Sequence, residues 1–92
     1  MLTVSTGGPV LPAEDSADWQ ELPATLAAAG LARRFVRRCL DACDVSDVDV
    51  DVAVLLTSEL VANAVLYGLA PIRVQLHRRS GTVRVEVHDE GP

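Results

Sequence analysis

Three side chains stand out as able to do chemistry: Glu59, Asn63 four residues on, and Asp89 two residues before Gly91. A Glu-x-x-x-Asn spacing sets a carboxylate and an amide one turn apart on one face of a helix. In Asp-x-Gly, an acceptor stands beside a residue that lets a ligand approach the backbone closely. Two acids and an amide suit two tasks, coordinating a hard cation such as Mg²⁺ through oxygen and accepting a hydrogen bond from an amino group on a ligand. Taken as isolated residues they have plainer readings: a rim carboxylate for Glu59, a helix-satisfied amide for Asn63, and a turn for Asp89-Glu90-Gly91.

Those side chains must be carried by particular elements. Ser46 and Asp49 have the three-residue offset of a capping box, and Asp47 and Asp49 add negative charge where a helix begins. The pattern predicts a helix from Asp47 to about Tyr67, stopped by Gly68 and Pro71. Projected at roughly 100° per residue, Val48, Val52, Leu55, Leu56, Asn63 and Leu66 fall within about 60° of Glu59. Glu59 and Asn63 therefore interrupt an apolar stripe, where an unpartnered carboxylate costs several kcal/mol unless a ligand, cation or water compensates it. The opposite side carries Val50, Val54, Val61 and Val65, so both sides are expected to be covered. If that opposite side is the one on the sheet, Glu59 faces solvent.

After Pro71 the period changes to two. Ile72, Val74 and Leu76 alternate with Arg73, Gln75 and His77; beyond Ser80-Gly81, Val83, Val85 and Val87 alternate with Arg84, Glu86 and His88. A two-residue turn at Ser80-Gly81 sets Val74 opposite Val87, making a hairpin with one dry and one wet face. His77 and His88 are expected exposed on the wet face, not directly opposite one another. Parity continued past Val87 puts Asp89 on the dry face, so Glu59, Asn63 and Asp89 are expected to converge between sheet and helix. Upstream, an Ala-, Leu- and Arg-rich stretch from Thr25 to about Cys43 predicts another helix, with Gly30 its weak point. Trp19 to Leu22 reads as a short strand, and residues 1–18, with Gly7-Gly8-Pro9 and Pro12, read as a mobile leader. Helices must cover the dry face of the hairpin, which gives a two-layer α+β sandwich.

Composition bounds the rest. The chain has 92 residues, 49% hydrophobic but only 3% aromatic, so a single small domain must build its core from Val, Leu and Ala. Eight basic against 13 acidic residues leave a net charge of −5, which argues against bulk electrostatic binding to nucleic acid or anionic lipid. All the basic residues are Arg, a bias attributed to coding rather than function. Arg33, Arg34, Arg37 and Arg38 spread over about 140° of the first helix; they read as an interaction face for an acidic partner or, more plainly, as a solvated surface. Cys39 and Cys43 are too few for a disulfide framework and read as core or semi-buried fillers in a protein of the reducing cytoplasm. The N-terminus lacks the basic and apolar regions of a signal peptide and no run reaches 18 apolar residues, so neither export by that route nor a membrane span is expected.

Ser58-Glu59-Leu60-Val61-Ala62-Asn63-Ala64 resembles the N box of the GHKL (histidine-kinase-like) ATPase superfamily, and Val85-Glu86-Val87-His88-Asp89-Glu90-Gly91-Pro92 resembles the start of its first glycine box. The similar branch is that of anti-sigma-factor-like serine/threonine kinases, on an element like Arg33-Arg34-Phe35-Val36. The resemblance runs from about Trp19 to Pro92. It implies the N-terminal portion of a histidine-kinase-like sandwich, two helices on an antiparallel hairpin plus a short first strand, with ATP and Mg²⁺ as cofactors. It further implies that Asn63 coordinates the Mg²⁺ bridging the phosphates and that Glu59 is the base activating the serine hydroxyl or water that attacks the γ-phosphate. Asp89 would accept from the adenine amino group, and Gly91 would permit close approach. The implied activity is transfer of the ATP γ-phosphate to a serine of a protein antagonist. The implied partners are a sigma factor or an anti-anti-sigma protein, with a homodimer also allowed. The family's glycine box, lid and second glycine box would continue beyond Pro92, and Leu66-Tyr67-Gly68 stands where relatives have Arg-His-Gly or Arg-His-Ala. A truncated, catalytically silent interaction module of a partner-switching system is the alternative expectation.

Overall fold

The structure, a computed structural model, describes residues 2–6, 16–67, 71–79 and 81–89. Its elements are β1 (Leu2–Thr6), β2 (Ser16–Leu22), α1 (Ala28–Asp41), α2 (Asp47–Tyr67), β3 (Ile72–Arg79) and β4 (Thr82–His88). The strands form one mixed sheet in the order β1-β4-β3-β2, with β1 parallel to β4 and the other neighbours antiparallel.

Local chemistry accounts for most of these boundaries. At the start of α2 the Ser46 hydroxyl accepts the Asp49 N–H at 3.2 Å and the Ser46 carbonyl accepts the Val50 N–H at 2.9 Å, while Asp47 and Asp49 sit in the electropositive first turn. The helix then runs to Tyr67 as the pattern predicts; the Gly68 stop lies outside the described residues. α1 begins at Ala28 rather than Thr25, because Thr25 forms a preceding turn. Its hydroxyl accepts the Ala27 N–H at 3.3 Å and its carbonyl accepts the Ala28 N–H at 3.0 Å. Between β3 and β4 the register pairs Val74 with Val87 and Arg79 with Thr82, the two-residue turn that parity requires. Gly81 has φ 75°, a left-handed conformation that suits glycine at such a turn.

Gly30 lies in the third position of α1, and a β-carbon there would meet only the ends of Arg33 and Arg34, at 3.6 and 3.9 Å. Gly30→Ala is therefore expected to stabilise the protein by about 0.5–1 kcal/mol, since alanine loses less backbone entropy in a helix. A rise of a few degrees in thermal midpoint checks it; a fall would mean the helix cannot accept the methyl.

Both helices cover one face of the sheet, α1 over β2 and β3, α2 mainly over β1 and β4. Leu40, Val36, Val61, Ile72, Val74, Leu76 and Val85 are fully buried between the layers. At 21 residues α2 is long and apolar enough to cross a bilayer by length and composition, but here one of its sides is packed on the sheet. The α+β sandwich is as expected. The mobile leader is not upheld at Leu2–Thr6, which form β1, nor at the front of β2, which reaches back to Ser16. Five residues with Leu2 and Val4 turned inward carry too little periodic signal to read alone. β1 lies along β4, so that β3 and β4 are the two central strands.

That placement overturns the expectation of solvent-exposed histidines. His77 and His88 do lie on the face away from the helices, opposite Arg84 and Arg73 respectively, but they are only 3% and 7% exposed. A hairpin alone would leave such residues wet; as central strands, β3 and β4 have their outer side chains hemmed in by cross-strand neighbours on both sides. The His77 Nε2 lies 2.8 Å from Glu86 Oε1 and the His88 Nε2 3.6 Å from the same oxygen.

Candidate functional site

Which side of α2 meets the sheet decides the character of the site. Val50, Ala53, Val54, Thr57, Val61 and Ala64 are buried, so the valine side is the core side. The other side is open to solvent: Glu59 and Asn63 are exposed, flanked by Val52 at 48%, Leu55 at 58%, Leu66 at 68% and Tyr67 at 84% exposure. Packing explains the choice. Valine, alanine and threonine allow the helix axis to come close to a pleated sheet, whereas the leucines of the other stripe would hold it off. The expected convergence of Glu59, Asn63 and Asp89 between sheet and helix is thereby corrected: the first two point outward from the helix layer. With water around it, the Glu59 carboxylate carries no desolvation cost that a ligand must offset.

The outward side is braced from α1. Arg33 Nη1 donates to Ser58 Oγ at 2.9 Å, next in sequence to Glu59, and Arg37 Nη2 lies 3.2 Å from Asp51 Oδ1 two turns earlier on α2. Arg38 stacks over the Phe35 ring at 5.9 Å. Three of the four arginines in the α1 cluster thus hold local contacts while staying exposed. Asp89 follows the last residue of β4 and is exposed; Gly91 lies outside the described residues. Among the described residues no group of three or more His, Cys, Asp or Glu is arranged to hold a metal ion. Mg²⁺ asks for less, one or two oxygen ligands with the rest from phosphate and water, and the exposed amide oxygen of Asn63 fits that donor set.

Polar side chains that the alternating pattern assigned to solvent form a second, unexpected cluster on the far face of the sheet. Gln75, His77 and His88 are buried there around Glu86, and Arg84 Nε lies 3.8 Å from Glu86 Oε2. No sequence signal separates this cluster from an ordinary wet face, because its burial comes from strand order.

The cysteines are free and half-buried, as expected for fillers. Cys43 Sγ donates to the Cys39 carbonyl at 3.3 Å, and Arg78 reaches both Cys43 Sγ at 3.7 Å and Asp18 Oδ2 at 2.6 Å, tying the end of α1 to β2 and β3. Burial, and secondarily the Asp18 carboxylate, push the Cys39 thiol above its ordinary value of 9.0. The thiolate is the reacting form, so the pH profile of Cys39 alkylation should be displaced upward from that of an unhindered thiol. Peptide mass spectrometry after timed iodoacetamide treatment reads this directly; half-reaction at or below the free-thiol pH would contradict it.

Two helices on a mixed sheet, with Glu-x-x-x-Asn on the outward side of the second and Asp-x-Gly after a central strand, define a two-layer sandwich of the ATPase type. A family model described as histidine kinase-like ATPase domain matches residues 22–92, and the chain belongs to that family. The match includes α1, α2, β3 and β4 and leaves out β1. Membership makes ATP the nucleotide for which such a domain is built. No curated protein and no solved structure matches the chain.

Proposed function

We propose that this domain is an ATP-binding regulator of the anti-sigma-factor serine/threonine kinase type, acting on a serine of a protein antagonist. One observation carries the reading: Glu59 and Asn63 emerge together on the solvent side of α2, while the opposite side of the same helix is core. That makes both available to a ligand without disturbing the fold. Asn63 supplies an amide oxygen to Mg²⁺, which when bound neutralises phosphate charge. Glu59 takes the proton of the attacking serine hydroxyl, whose oxygen bonds to the γ-phosphorus as the bond to the β–γ bridging oxygen breaks and ADP leaves. Asp89 accepts from the adenine amino group, and Gly91 lets the base approach the backbone. A sigma factor or anti-anti-sigma protein is the partner this reading calls for, with a role in transcription regulation.

Titration with a fluorescent ATP analogue, with and without Mg²⁺, tests the reading; saturation that depends on Mg²⁺ is expected. Failure to saturate at millimolar nucleotide would leave a second reading, a catalytically silent interaction module. That reading draws on the apolar side chains exposed along α2, which are more than a nucleotide needs.

A further inference from the structure

The end of α1 holds a pair of thiols that the nucleotide reading leaves unused. Cys39 stands in the last turn of the helix and Cys43 just past it, and both are free and half-buried. As fillers they would ask only for apolar neighbours. Instead, Cys43 Sγ accepts an N–H of the Arg78 guanidinium at 3.7 Å and donates to the Cys39 carbonyl at 3.3 Å, while the other terminal nitrogen of Arg78 is held on Asp18 Oδ2 at 2.6 Å. We infer that Cys39 and Cys43 form a reversible dithiol oxidation site for hydroperoxides, with Cys43 the attacking sulfur, Cys39 the resolving one and an intrachain disulfide the product.

Charge selects the attacking sulfur. Arg78 reaches Cys43 from β3, so negative charge that builds on that sulfur as its proton leaves is met by a cation. Cys39 is the slower of the two, because burial and the Asp18 carboxylate push its thiol up and keep it protonated. The backbone, for its part, lets the bridge close. In a regular helix, residues four apart keep their β-carbons about 5–6 Å apart, against about 3.5–4.5 Å across a disulfide. Cys43 lies beyond Asp41, the last residue of α1, and its N–H bonds the Leu40 carbonyl at 2.9 Å, three residues back, rather than the Cys39 carbonyl. The chain is already tightened there, and Cys43 belongs to the connection into α2, so it can cover the remaining gap without unwinding α1.

The chemistry balances with one hydroperoxide. Cys43 gives up its proton and attacks the peroxide: an S–O bond forms as the O–O bond breaks, and the departing oxygen takes up a proton, leaving a sulfenic acid. The Cys39 sulfur then attacks the Cys43 sulfur. An S–S bond forms as the S–O bond breaks, and the oxygen leaves as water with the Cys39 proton. The two thiols have together given two electrons to the peroxide, and an external thiol reverses the change.

Treating the reduced chain with hydrogen peroxide tests the inference without nucleotide, so its outcome is independent of the functional reading. Trypsin cuts after Arg38 and Arg73 and leaves both cysteines in one peptide. The bridge is therefore expected as a peptide lighter by two hydrogens, which dithiothreitol restores. Cys39→Ser should stop at a Cys43 sulfenic acid that dimedone traps, and Cys43→Ser should leave Cys39 reduced over the same time. Arg78→Gln keeps a donor but removes the cation, and should slow the oxidation about tenfold or more; a thermal melt checks that it is folded. A wild type whose thiols both stay reduced at millimolar peroxide overturns the inference. So does a disulfide found only between chains, a Cys39→Ser chain no more reactive toward dimedone than Cys43→Ser, or a folded Arg78→Gln chain oxidised at the wild-type rate.

Discussion

Asn63→Ala is expected to remove saturable Mg²⁺-dependent ATP binding, whereas Glu59→Ala keeps binding and loses phosphoryl transfer by about 10²–10⁴-fold, the usual worth of a positioned general base. Both side chains are exposed and neither contributes to the core, so each variant should fold as the parent does and circular dichroism serves as the control. The separation of effects follows from chemistry. In the roles proposed above, losing the amide would remove an oxygen from the metal that neutralises the phosphates, which is felt in the ground state. Losing the carboxylate removes a proton acceptor needed only as the hydroxyl attacks. The readouts are fluorescent-nucleotide titration for the first and radiolabel transfer to a serine-bearing partner protein for the second. If Asn63→Ala bound nucleotide as the parent does, the phosphate-binding role would have to move elsewhere; equal transfer by Glu59→Ala and the parent would dismiss the base.

The second large effect concerns stability and tests which side of α2 is the core side. Leu76 is completely buried beneath the helices, and Leu76→Ala should cost about 2–5 kcal/mol through lost burial plus the cavity left behind. A domain of this size has a total stability on the order of 5–10 kcal/mol, so the variant will be marginal and its urea midpoint will fall steeply. Leu55→Ala removes the same atoms from a side chain that is 58% exposed and should change stability by less than about 0.5 kcal/mol. Equal losses would mean that the outer stripe is covered within one copy and that the two sides of α2 have been assigned the wrong way round.

Much of the fold was legible because local signals agreed with one another. Ser46 and the following aspartates marked the start of α2 correctly, and the period-two alternation with Ser80-Gly81 set the β3–β4 register down to Val74 opposite Val87. The Glu-x-x-x-Asn and Asp-x-Gly spacings were likewise readable, and the family match covers the residues that carry them. Three things were not legible. α2 is apolar on both sides, so periodicity could not say which side the sheet would take. β1 is too short to announce itself. The burial of His77 and His88 depends on what lies on either side of β3 and β4, which no strand's own pattern records.

What this sequence determines alone is therefore one-dimensional: where helices start, how the hairpin is registered, and which polar residues interrupt apolar runs. Capping, turn chemistry and side-chain alternation act between near neighbours, so they can be read from spacing. Tertiary structure decided the rest. By bringing β1 alongside β4 it made the second strand of the hairpin central and buried a polar cluster around Glu86. By seating the small valine and alanine side of α2 on the sheet it turned Glu59 and Asn63 out to solvent. Both outcomes rest on how closely distant segments can pack, a quantity that no local pattern contains.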